Sequence, residues 1–314
     1  MSASLTSALA AATQAAEGQS HPQGALYMVA TPIGNLADIT LRALYVLHLA
    51  DTVACEDTRH TQHLLRAYGI HKTGGQLLAL HQHNEEQVAN RVIERLRQGQ
   101  RVAYVSDAGT PGVSDPGARL AACVCAQGLR AIPLPGASSV TALLSVSGVV
   151  ADGMPSAGFV FVGFLPSKAT ERAQAVNALA LEARAAVVLE APHRIEALAG
   201  ALAVLGERPV TLGRELTKQF EEIATVPASG LMSWLQEDAK RLRGEFTLVL
   251  HPAQVQKSTH TEVRVLGLLL EELPLKTAVR LASAITGAPR NAVYAQALEL
   301  TRSAVAEVPE SPIG

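Results

Sequence analysis

Short apolar runs of four to six residues recur through residues 25–134 and alternate with longer amphipathic stretches. An apolar run of this length, bounded by Gly, Pro and polar residues, is typical of a buried strand, whereas the amphipathic stretches predict helices. The predicted strands are residues 25–30, 52–55, 77–80, 102–105 and 130–134. Strands that alternate with helices at this spacing predict a parallel sheet with helices on both faces.

A second set of strands and helices follows residues 151–158, whose Gly, Pro and Ser content is typical of a domain boundary. We therefore expect an α/β fold with two α/β domains, residues 25–153 and 158–252, and a ligand cleft between them. Residues 1–24, rich in Ala, Ser, Thr and Gln, are predicted to be a flexible lead-in.

A polar linker is predicted at residues 252–260, followed by a small helical part at 261–302. Pro274 and residues 287–289 divide this part into three predicted helices, of which the last two have helix-turn-helix proportions. Residues 257–302 contain six basic and four acidic residues, a local net charge of +2. Both a nucleic-acid docking arm and a helical cap or dimer contact fit this pattern, and the choice stays open.

A long loop, SDAGTPGVSDPG at residues 106–117, follows the predicted strand 102–105. Connections between a strand and a helix usually take about 2–6 residues, and longer ones tend to be functional. Gly109 and Gly112 permit positive φ and a close approach of the backbone to a ligand. The spacing matches neither a P-loop nor a dinucleotide fingerprint, and Asp107 favours a ligand with a cationic or hydroxyl-bearing end. A tight connection without a ligand is the alternative.

Four of the predicted strands in the first domain end in polar loops of this kind. The carboxyl ends of parallel strands meet at one edge of the sheet, which is where open α/β sheets bind ligands. We therefore expect these four loops to lie together around one site.

The composition describes an ordinary globular protein of 314 residues, 48% hydrophobic and 17% charged, with a net charge of −2. This balance provides no attraction of the whole chain to nucleic acid, so any basic surface must be local. Aromatic residues make up only 4%, with Trp234 as the single tryptophan, which argues against an aromatic base-stacking platform. No apolar run approaches the ~18 residues of a membrane helix, and we expect a cytoplasmic protein without a membrane partner.

The three cysteines, Cys55, Cys123 and Cys125, form neither an even framework nor a metal-spaced set. We interpret them as reduced, buried thiols of a cytosolic protein. Two pairs of histidines are close in sequence, His60 with His63 and His81 with His83. No thiolate accompanies these imidazoles, and no metal site is predicted.

The loops that follow the predicted strands resemble one known family in six places. The motifs are TPIGNL (31–36), EDTR (56–59), SDAGTP with SDPG (106–117), PGASS (135–139), PHR (192–194) and RELTK (214–218). One such motif would be weak, but six in order over residues 26–250 are specific. The set is similar to that of bacterial small-subunit ribosomal RNA cytidine 2′-O-methyltransferases, in the tetrapyrrole-methylase superfamily, whose C-terminal helices match residues 275–300.

The resemblance implies a homodimer that binds S-adenosylmethionine between two α/β domains. It also implies methyl transfer to the 2′-hydroxyl of a cytidine in the decoding region of 16S ribosomal RNA, in the small ribosomal subunit. Carried over position by position, it places the donor against Pro32, Asp107, Ala108, Gly109, Ser138, Ala191 and Gly213. It names no general base.

The chemistry of such a transfer fits these loops. A sulfonium donor loses its charge as the methyl moves, so the site needs no trap for a phosphate or an oxyanion. Most of the rate would come from holding hydroxyl, methyl and sulfur in line. A ribose hydroxyl is a poor nucleophile, and a positioned base would add ~10²–10⁴-fold. The candidates for that base, at the end of a strand on the ligand-facing edge, are Glu56, Asp57 and His60.

Four cations lie within three of the motifs, namely Arg59, Arg194, Arg214 and Lys218. Their convergence on one cleft would favour a grip on RNA phosphates. The alternative for each cation is an internal ion pair with a nearby carboxylate, among Glu56, Glu190, Glu215 and Glu221.

Two other functions compete with ribosomal RNA methylation. A C-methyltransferase acting on a tetrapyrrole would share the donor pocket, but it would have no need of the appended C-terminal helices. A non-catalytic RNA-binding or ribosome-assembly module would leave the donor loops without a purpose, and the slightly acidic net charge argues against it.

Overall fold

The computed structural model describes residues 5–81, 84–149, 158–253 and 259–306. The chain divides into two compact units, Met1–Ala253 and Gln254–Gly314. Residues 151–157 of the predicted domain boundary, the centre of the predicted linker and His83 lie outside the described residues. The division into domains at 25–153 and 158–252 stays a prediction.

The first sheet of the larger unit is parallel, as predicted. Its strands are β1 (Ala25–Val29), β2 (Thr52–Cys55), β3 (Leu77–Ala79), β4 (Val102–Val105) and β5 (Arg130–Leu134). They lie in the order β3-β2-β4-β1-β5, and every pairing between them is parallel. The carboxyl ends of the strands therefore face one edge, which confirms the α/β prediction.

Helices cover both faces of this sheet. We call the part of the larger unit that contains the first sheet, up to residue 149, the first half, and the part from residue 158 to 253 the second half. The helices of the first half are α1 (Thr6–Ala16), α2 (Leu41–Leu49), α3 (Thr58–Ala67), α4 (Glu85–Arg97), α5 (Gly117–Ala126) and α6 (Ser139–Val146). Along β4, Ala103 and Val105 pack in the core beneath α2 and α3, whereas Val102 and Tyr104 pack in the core beneath α4 and α5. This alternation follows from the period of two along a strand.

The prediction of a flexible lead-in at residues 1–24 is wrong for residues 6–16, which form α1. Ala12 is fully buried, and Ala8 and Leu9 pack on the same core as α2 and α3. The backbone N–H of Leu5 also donates to the carbonyl of Ala67 at 3.3 Å. An Ala-rich sequence lacks a strong amphipathic pattern, but alanine is a good helix former and its small side chain allows close packing.

The second sheet is mixed. Its strands are β6 (Phe159–Phe164), β7 (Ala185–Glu190), β8 (Pro209–Arg214), β9 (Glu222–Pro227) and β10 (Phe246–Leu250), in the order β6-β7-β10-β8-β9. Only β6 and β7 pair in parallel; β10 is antiparallel to both of its neighbours, and β9 to β8. The edge strand β9 was not predicted, since its side chains alternate only between partly buried and exposed.

Helices α7 (Ala169–Ala180), α8 (Ile195–Leu202) and α9 (Leu231–Gln236) belong to this second half. The other face of the sheet receives α6 from the first half, because Val140 and Leu143 pack with Val187 and Val249. Through α6 the two sheets become parts of one compact unit.

The smaller unit consists of α10 (Thr259–Glu272), α11 (Leu275–Thr286) and α12 (Arg290–Ala306), so the three predicted helices are present. They surround a core of their own that includes Leu266, Val279, Val293 and Ala297. Throughout the described ranges, no helix combines the length and apolar character needed to cross a membrane.

The burial predicted for the three cysteines is correct only for Cys55. Cys123 and Cys125 are exposed on α5, and none of the three forms a disulfide. The buried stripe of α5 runs through Leu120 and Val124, four residues apart, and this helical period leaves both thiols outside.

Candidate active site

Three of the loops at the carboxyl edge of the first sheet are joined by direct hydrogen bonds. Thr31, after β1, and Gly109, after β4, exchange two backbone hydrogen bonds of 3.0 Å each. The hydroxyl of Thr110 donates to the carbonyl of Ala137, after β5, at 3.0 Å. Gly109 has a φ of +82°, which favours glycine at this crossing point.

The loop after β2 is tied to the loop after β4 by a second pair of contacts. The backbone N–H of Asp107 donates to Glu56 Oε1 at 3.0 Å, and the backbone N–H of Asp57 donates to Asp107 Oδ1 at 3.3 Å. All four polar loops therefore meet at one edge, as the parallel order of the strands predicts.

Asp115 explains the length of the loop at 106–117, because it folds the loop onto itself. One carboxylate oxygen accepts from Gly112 N at 2.7 Å, and the other accepts from Gly117 N and from the Tyr104 hydroxyl, both at 2.8 Å. Asp115 is thus bonded to Gly117, the first residue of α5.

Two adjoining cavities open along these loops. The smaller, of about 220 Å³, is the more polar of the two and is called the polar cavity; its lining includes Glu56, Asp107, Thr110, Asp115 and Ser138. The larger, of about 410 Å³, is mainly apolar and includes Phe164, Leu189, Ala191, Leu216 and Phe246 of the second half. Both cavities share Ile33, Ala108, Ser139 and Leu189. Because they share these four residues, the two cavities adjoin and together form one candidate site, which is more polar at one end than at the other.

Most of the predicted donor residues line this site. Asp107, Ala108, Gly109 and Ser138 line the polar cavity, and Ala191 lines the apolar cavity.

Pro32 and Gly213 are buried and do not belong to the lining of either cavity. A Cβ on Gly213 would lie 2.8 Å from Leu143 Cδ1, so this glycine allows close packing of side chains. Sequence reasoning missed Ile33 and Leu189, which touch both cavities, because nothing in an apolar side chain distinguishes a cavity wall from a core.

The three candidates for a general base lie in different surroundings. Glu56 lines the polar cavity, and burial is the main cause that raises the pKa of its carboxyl, with the charges of Asp107 and Asp115 adding to it. Asp57 caps α3 by accepting from Arg59 N at 2.8 Å and His60 N at 3.3 Å, and these bonds lower the pKa of Asp57.

His60 is exposed on α3 and does not belong to the lining of either cavity. Of the three candidates, only Glu56 both lines the site and has a raised pKa.

The structure corrects the expectation that four cations converge on the cleft. Arg214 is buried, donates to the carbonyls of Phe220 and Arg243 at 3.0 and 3.3 Å, and lies 3.4 Å from Glu222. A guanidinium with these partners is not available to a phosphate.

Arg194 is also engaged inside the protein. Its Nε lies 3.1 Å from the buried Glu190 Oε1, and the guanidinium donates to the Leu165 carbonyl. Arg59, by contrast, has a side chain that is 93% exposed.

Lys218 is held by two carboxylates, one of which, Glu245, lines the apolar cavity. Its Nζ lies 2.8 Å from Glu215 Oε1 and 3.1 Å from Glu245 Oε2. Burial alone would lower the pKa of Lys218, but the hydrogen bonds to the two carboxylates outweigh it and leave the pKa raised. Glu215 and Thr217 adopt positive φ of 51° and 66°, which marks a strained turn around this lysine.

Within the described part of the chain, no group of three or more His, Cys, Asp or Glu side chains is arranged to hold a metal ion. His60 and His63 lie there, whereas His83 lies outside it.

Models of two known families match the chain. The one described as Tetrapyrrole (Corrin/Porphyrin) Methylases matches residues 25–231, and the one described as RsmI C-terminal HTH domain matches residues 260–301.

Curated relatives extend the similarity over most of the chain. Ribosomal RNA small subunit methyltransferase I of Escherichia coli O157:H7 is 46% identical over 281 residues, which cover 88% of this chain and 96% of that protein. The protein of the same name from Pseudomonas aeruginosa is 45% identical over 282 residues, or 88% and 97% of the two chains.

Solved structures show the fold. Uroporphyrin-III-C-methyltransferase from Thermus thermophilus superposes with a TM-score of 0.51 at 22% identity, covering 80% of this chain and 100% of that chain. Diphthine synthase superposes with a TM-score of 0.53 at 17% identity, covering 72% and 90%. From the extent and identity of the sequence matches, the chain belongs to the ribosomal RNA small subunit methyltransferase I family, within the tetrapyrrole methylases.

Proposed function

We propose that this protein transfers a methyl group from S-adenosylmethionine to the 2′-hydroxyl of a cytidine in the decoding region of 16S ribosomal RNA. The observation that carries the proposal is the pair of adjoining cavities, one more polar than the other, that the four loops of the family motifs help to line. The names of the curated relatives support ribosomal RNA as the acceptor.

The residues at the two ends of the site fit the two ends of this donor. Ligand pockets are usually about 300–1,000 Å³ and mostly apolar, and the cavity of about 410 Å³ offers Phe164, Leu189 and Phe246 to a flat adenine ring. The polar cavity offers the carboxylate of Asp107, which suits the ammonium of the amino-acid part. When bound, S-adenosylmethionine supplies an electrophilic methyl group on a sulfonium.

Glu56 is the residue we propose as the general base. The N–H of Asp107 occupies Oε1 and orients the carboxylate, so Oε2 would take the proton of the acceptor hydroxyl. The raised pKa of Glu56 makes it a stronger base than an ordinary carboxylate. Asp57 would then serve the site by fixing the start of α3.

The rest of the rate acceleration would come from holding the acceptor hydroxyl and the methyl group in a fixed geometry. The bonds between Thr31 and Gly109 and between Thr110 and Ala137 hold the walls of the polar cavity together. A rigid site of this kind keeps the hydroxyl in line with the methyl group, the main source of rate in a transfer without charge separation.

The proposal includes the setting of the reaction. We place the acceptor in 16S ribosomal RNA of the small subunit, and the enzyme in the cytoplasm as a homodimer. The relatives' name supports the ribosomal acceptor, and the sequence resemblance supports the dimer. The interpretation of the cysteines as reduced thiols supports the compartment.

The test is an incubation with labelled S-adenosylmethionine and either small ribosomal subunits that lack the modification or a uroporphyrinogen-type tetrapyrrole. We expect label in 16S RNA at a ribose whose 3′ phosphodiester then resists alkaline cleavage, because that cleavage needs a free 2′-hydroxyl. Transfer to the tetrapyrrole, or donor binding without transfer to RNA, would contradict the proposal.

A further inference from the structure

Helix α3 exposes a row of nitrogen-bearing side chains. Arg59, His60, His63 and Arg66 are all exposed, and together they form what we call the α3 stripe. Arg59, His63 and Arg66 are spaced i, i+4, i+7, so they lie along one line of the helix, with His60 beside it. The stripe spans two turns, about 10 Å at a rise of about 1.5 Å per residue.

The arginines of the stripe are largely free of acidic partners. The nearest carboxylate to Arg59 is Asp57, with Oδ1 3.7 Å from Nε, and that oxygen already accepts two backbone N–H groups of α3. Over the residues that the structure describes, the side chains of His63 and Arg66 take part in no hydrogen bond or ion pair.

An ordinary solvated helix face in the same protein looks different. On α4, beneath the opposite face of the first sheet, the exposed positions alternate in sign, with Glu86, Arg91, Glu94 and Arg97. The exposed face of α3 contains no acid over Thr58–Ala67. The stripe is therefore a local positive surface on a chain whose net charge is −2.

The stripe begins beside the proposed active site. Thr58, the first residue of α3, follows Glu56 and Asp57 directly, and Glu56 lines the polar cavity. The positive end of the helix dipole points to the same side. A polyanion lying along α3 would therefore reach the mouth of this cavity.

We propose that the α3 stripe binds the phosphate backbone of the RNA strand that carries the acceptor nucleotide. Guanidinium groups bind phosphates in a bidentate manner, and the row of four side chains suits an extended chain of negative charges. This inference rests on the proposed function. Arg194, Arg214 and Lys218, which were expected to contact RNA, are bonded inside the protein. The proposed RNA contacts are instead made by Arg59 and its neighbours on α3.

The experiment compares two double variants of the full-length protein. Arg59→Ala with Arg66→Ala removes the two arginines of the stripe, and Arg91→Ala with Arg97→Ala removes the same charge from α4. Affinity for small subunits is measured at several salt concentrations, and donor affinity by calorimetry.

For the stripe variant we expect a loss of RNA affinity of about fivefold or more at low salt, and a slope of log K against log salt that is smaller by about 1.5. The α4 variant should bind RNA like the wild type, and both should bind the donor like the wild type. Arg59→Lys with Arg66→Lys should recover most of the salt dependence, because the charge remains.

Two results would overturn the inference: wild-type RNA binding by the stripe variant at every salt concentration, or an equal loss in the α4 variant. These results differ from a failure of the proposed function. If the wild type transfers no methyl group to RNA, the function is wrong. If it does and the stripe variant still binds normally, only the inference is wrong.

Discussion

The aliphatic stem of Lys218 lies directly on the backbone of Gly34, so closely that a Cβ on Gly34 would be 2.3 Å from Lys218 Cγ. The ammonium of the same lysine is held by Glu215 and Glu245. Gly34 belongs to the loop after β1 and Lys218 to the loop after β8, so this contact joins the two sheets. Ile33, next to Gly34, lines both cavities. The contact therefore positions a shared wall of the proposed donor site.

The first prediction tests this contact with a double-mutant cycle. Gly34→Ala should displace Lys218 from its two carboxylates and weaken donor binding, because Lys218 Cγ, near the start of the side chain, cannot move away alone. Lys218→Ala frees the space, so Gly34→Ala should cost less in that background. Calorimetry of donor binding for the four proteins measures the coupling, which we expect at about 0.5–3 kcal/mol for residues in contact. Strictly additive effects would show that the contact does not shape the site.

The second prediction concerns Gly109. Gly109→Ala and Gly112→Ala both place a side chain at positive φ, of +82° and +84°, and should cost similar stability, roughly 1–2 kcal/mol. Only at Gly109 would the new Cβ also crowd the cavity wall, at 3.2 Å from Ile33 Cγ2. Donor affinity should therefore fall in Gly109→Ala and stay near the wild-type value in Gly112→Ala, the matched control for strain. Equal donor affinities in the two variants would refute the placement of the donor.

The third prediction concerns the charge of Glu56. Glu56→Gln keeps an oxygen for the Asp107 N–H but cannot take a proton, and methyl transfer should fall by about 10²–10⁴-fold. Asp57→Asn is the control, because asparagine also caps a helix well and should leave most of the activity. A comparable loss in both variants would remove Glu56 from the role of base.

The same substitution should change how stability depends on pH. The pKa of Glu56 is raised in the folded protein, so the folded state binds this proton more tightly than the unfolded chain does. The stabilisation from Glu56 is therefore complete below its ordinary pKa and is lost as the pH rises through the raised value. In melting experiments, Glu56→Gln should gain stability relative to the wild type as the pH rises through this window. A difference that does not vary with pH would contradict the raised pKa.

The fourth prediction concerns the three thiols. Burial raises the pKa of Cys55 to about 11, whereas Cys123 and Cys125 are exposed. A thiol reagent near neutral pH should therefore modify Cys123 and Cys125 quickly and reach Cys55 only after unfolding. Counting reacted thiols in the native and denatured protein checks this, with Cys55→Ser as the control that removes the slow phase. Rapid reaction of Cys55 in the native protein would be inconsistent with its burial.

The fifth prediction separates the roles considered for the C-terminal helices. These helices have a core of their own, so a chain ending at Ala253 should keep its donor affinity and nearly all of its melting temperature. Methylation of small subunits should fall sharply if the helices dock on RNA. Aggregation or a much lower melting temperature would instead indicate a cap on the larger unit. Full activity in the shortened protein would exclude both roles.

The sequence by itself determined the parallel sheet and the meeting of its loops at one edge. In the first sheet, short apolar runs between helical patterns favour parallel pairing, and parallel strands bring their carboxyl ends together. The same kind of pattern after residue 158 belongs to a mixed sheet, so it does not fix the strand direction by itself. The placement of Asp107, Gly109 and Ser138 around one cavity follows from the same rule, because each lies directly after a strand.

Only the tertiary structure decided what neighbouring polar residues do. Glu56 and Asp57 are adjacent, yet one faces the cavity and the other caps α3, because the chain turns between them into a helix. The sequence alone allowed Lys218 to bind RNA. In the folded protein its ammonium pairs with Glu245 and its stem packs on Gly34, and both of these residues are far from Lys218 in sequence. A cation's role depends on which carboxylate lies within about 4 Å, and folding brings such partners from distant parts of the chain, where no local pattern records them.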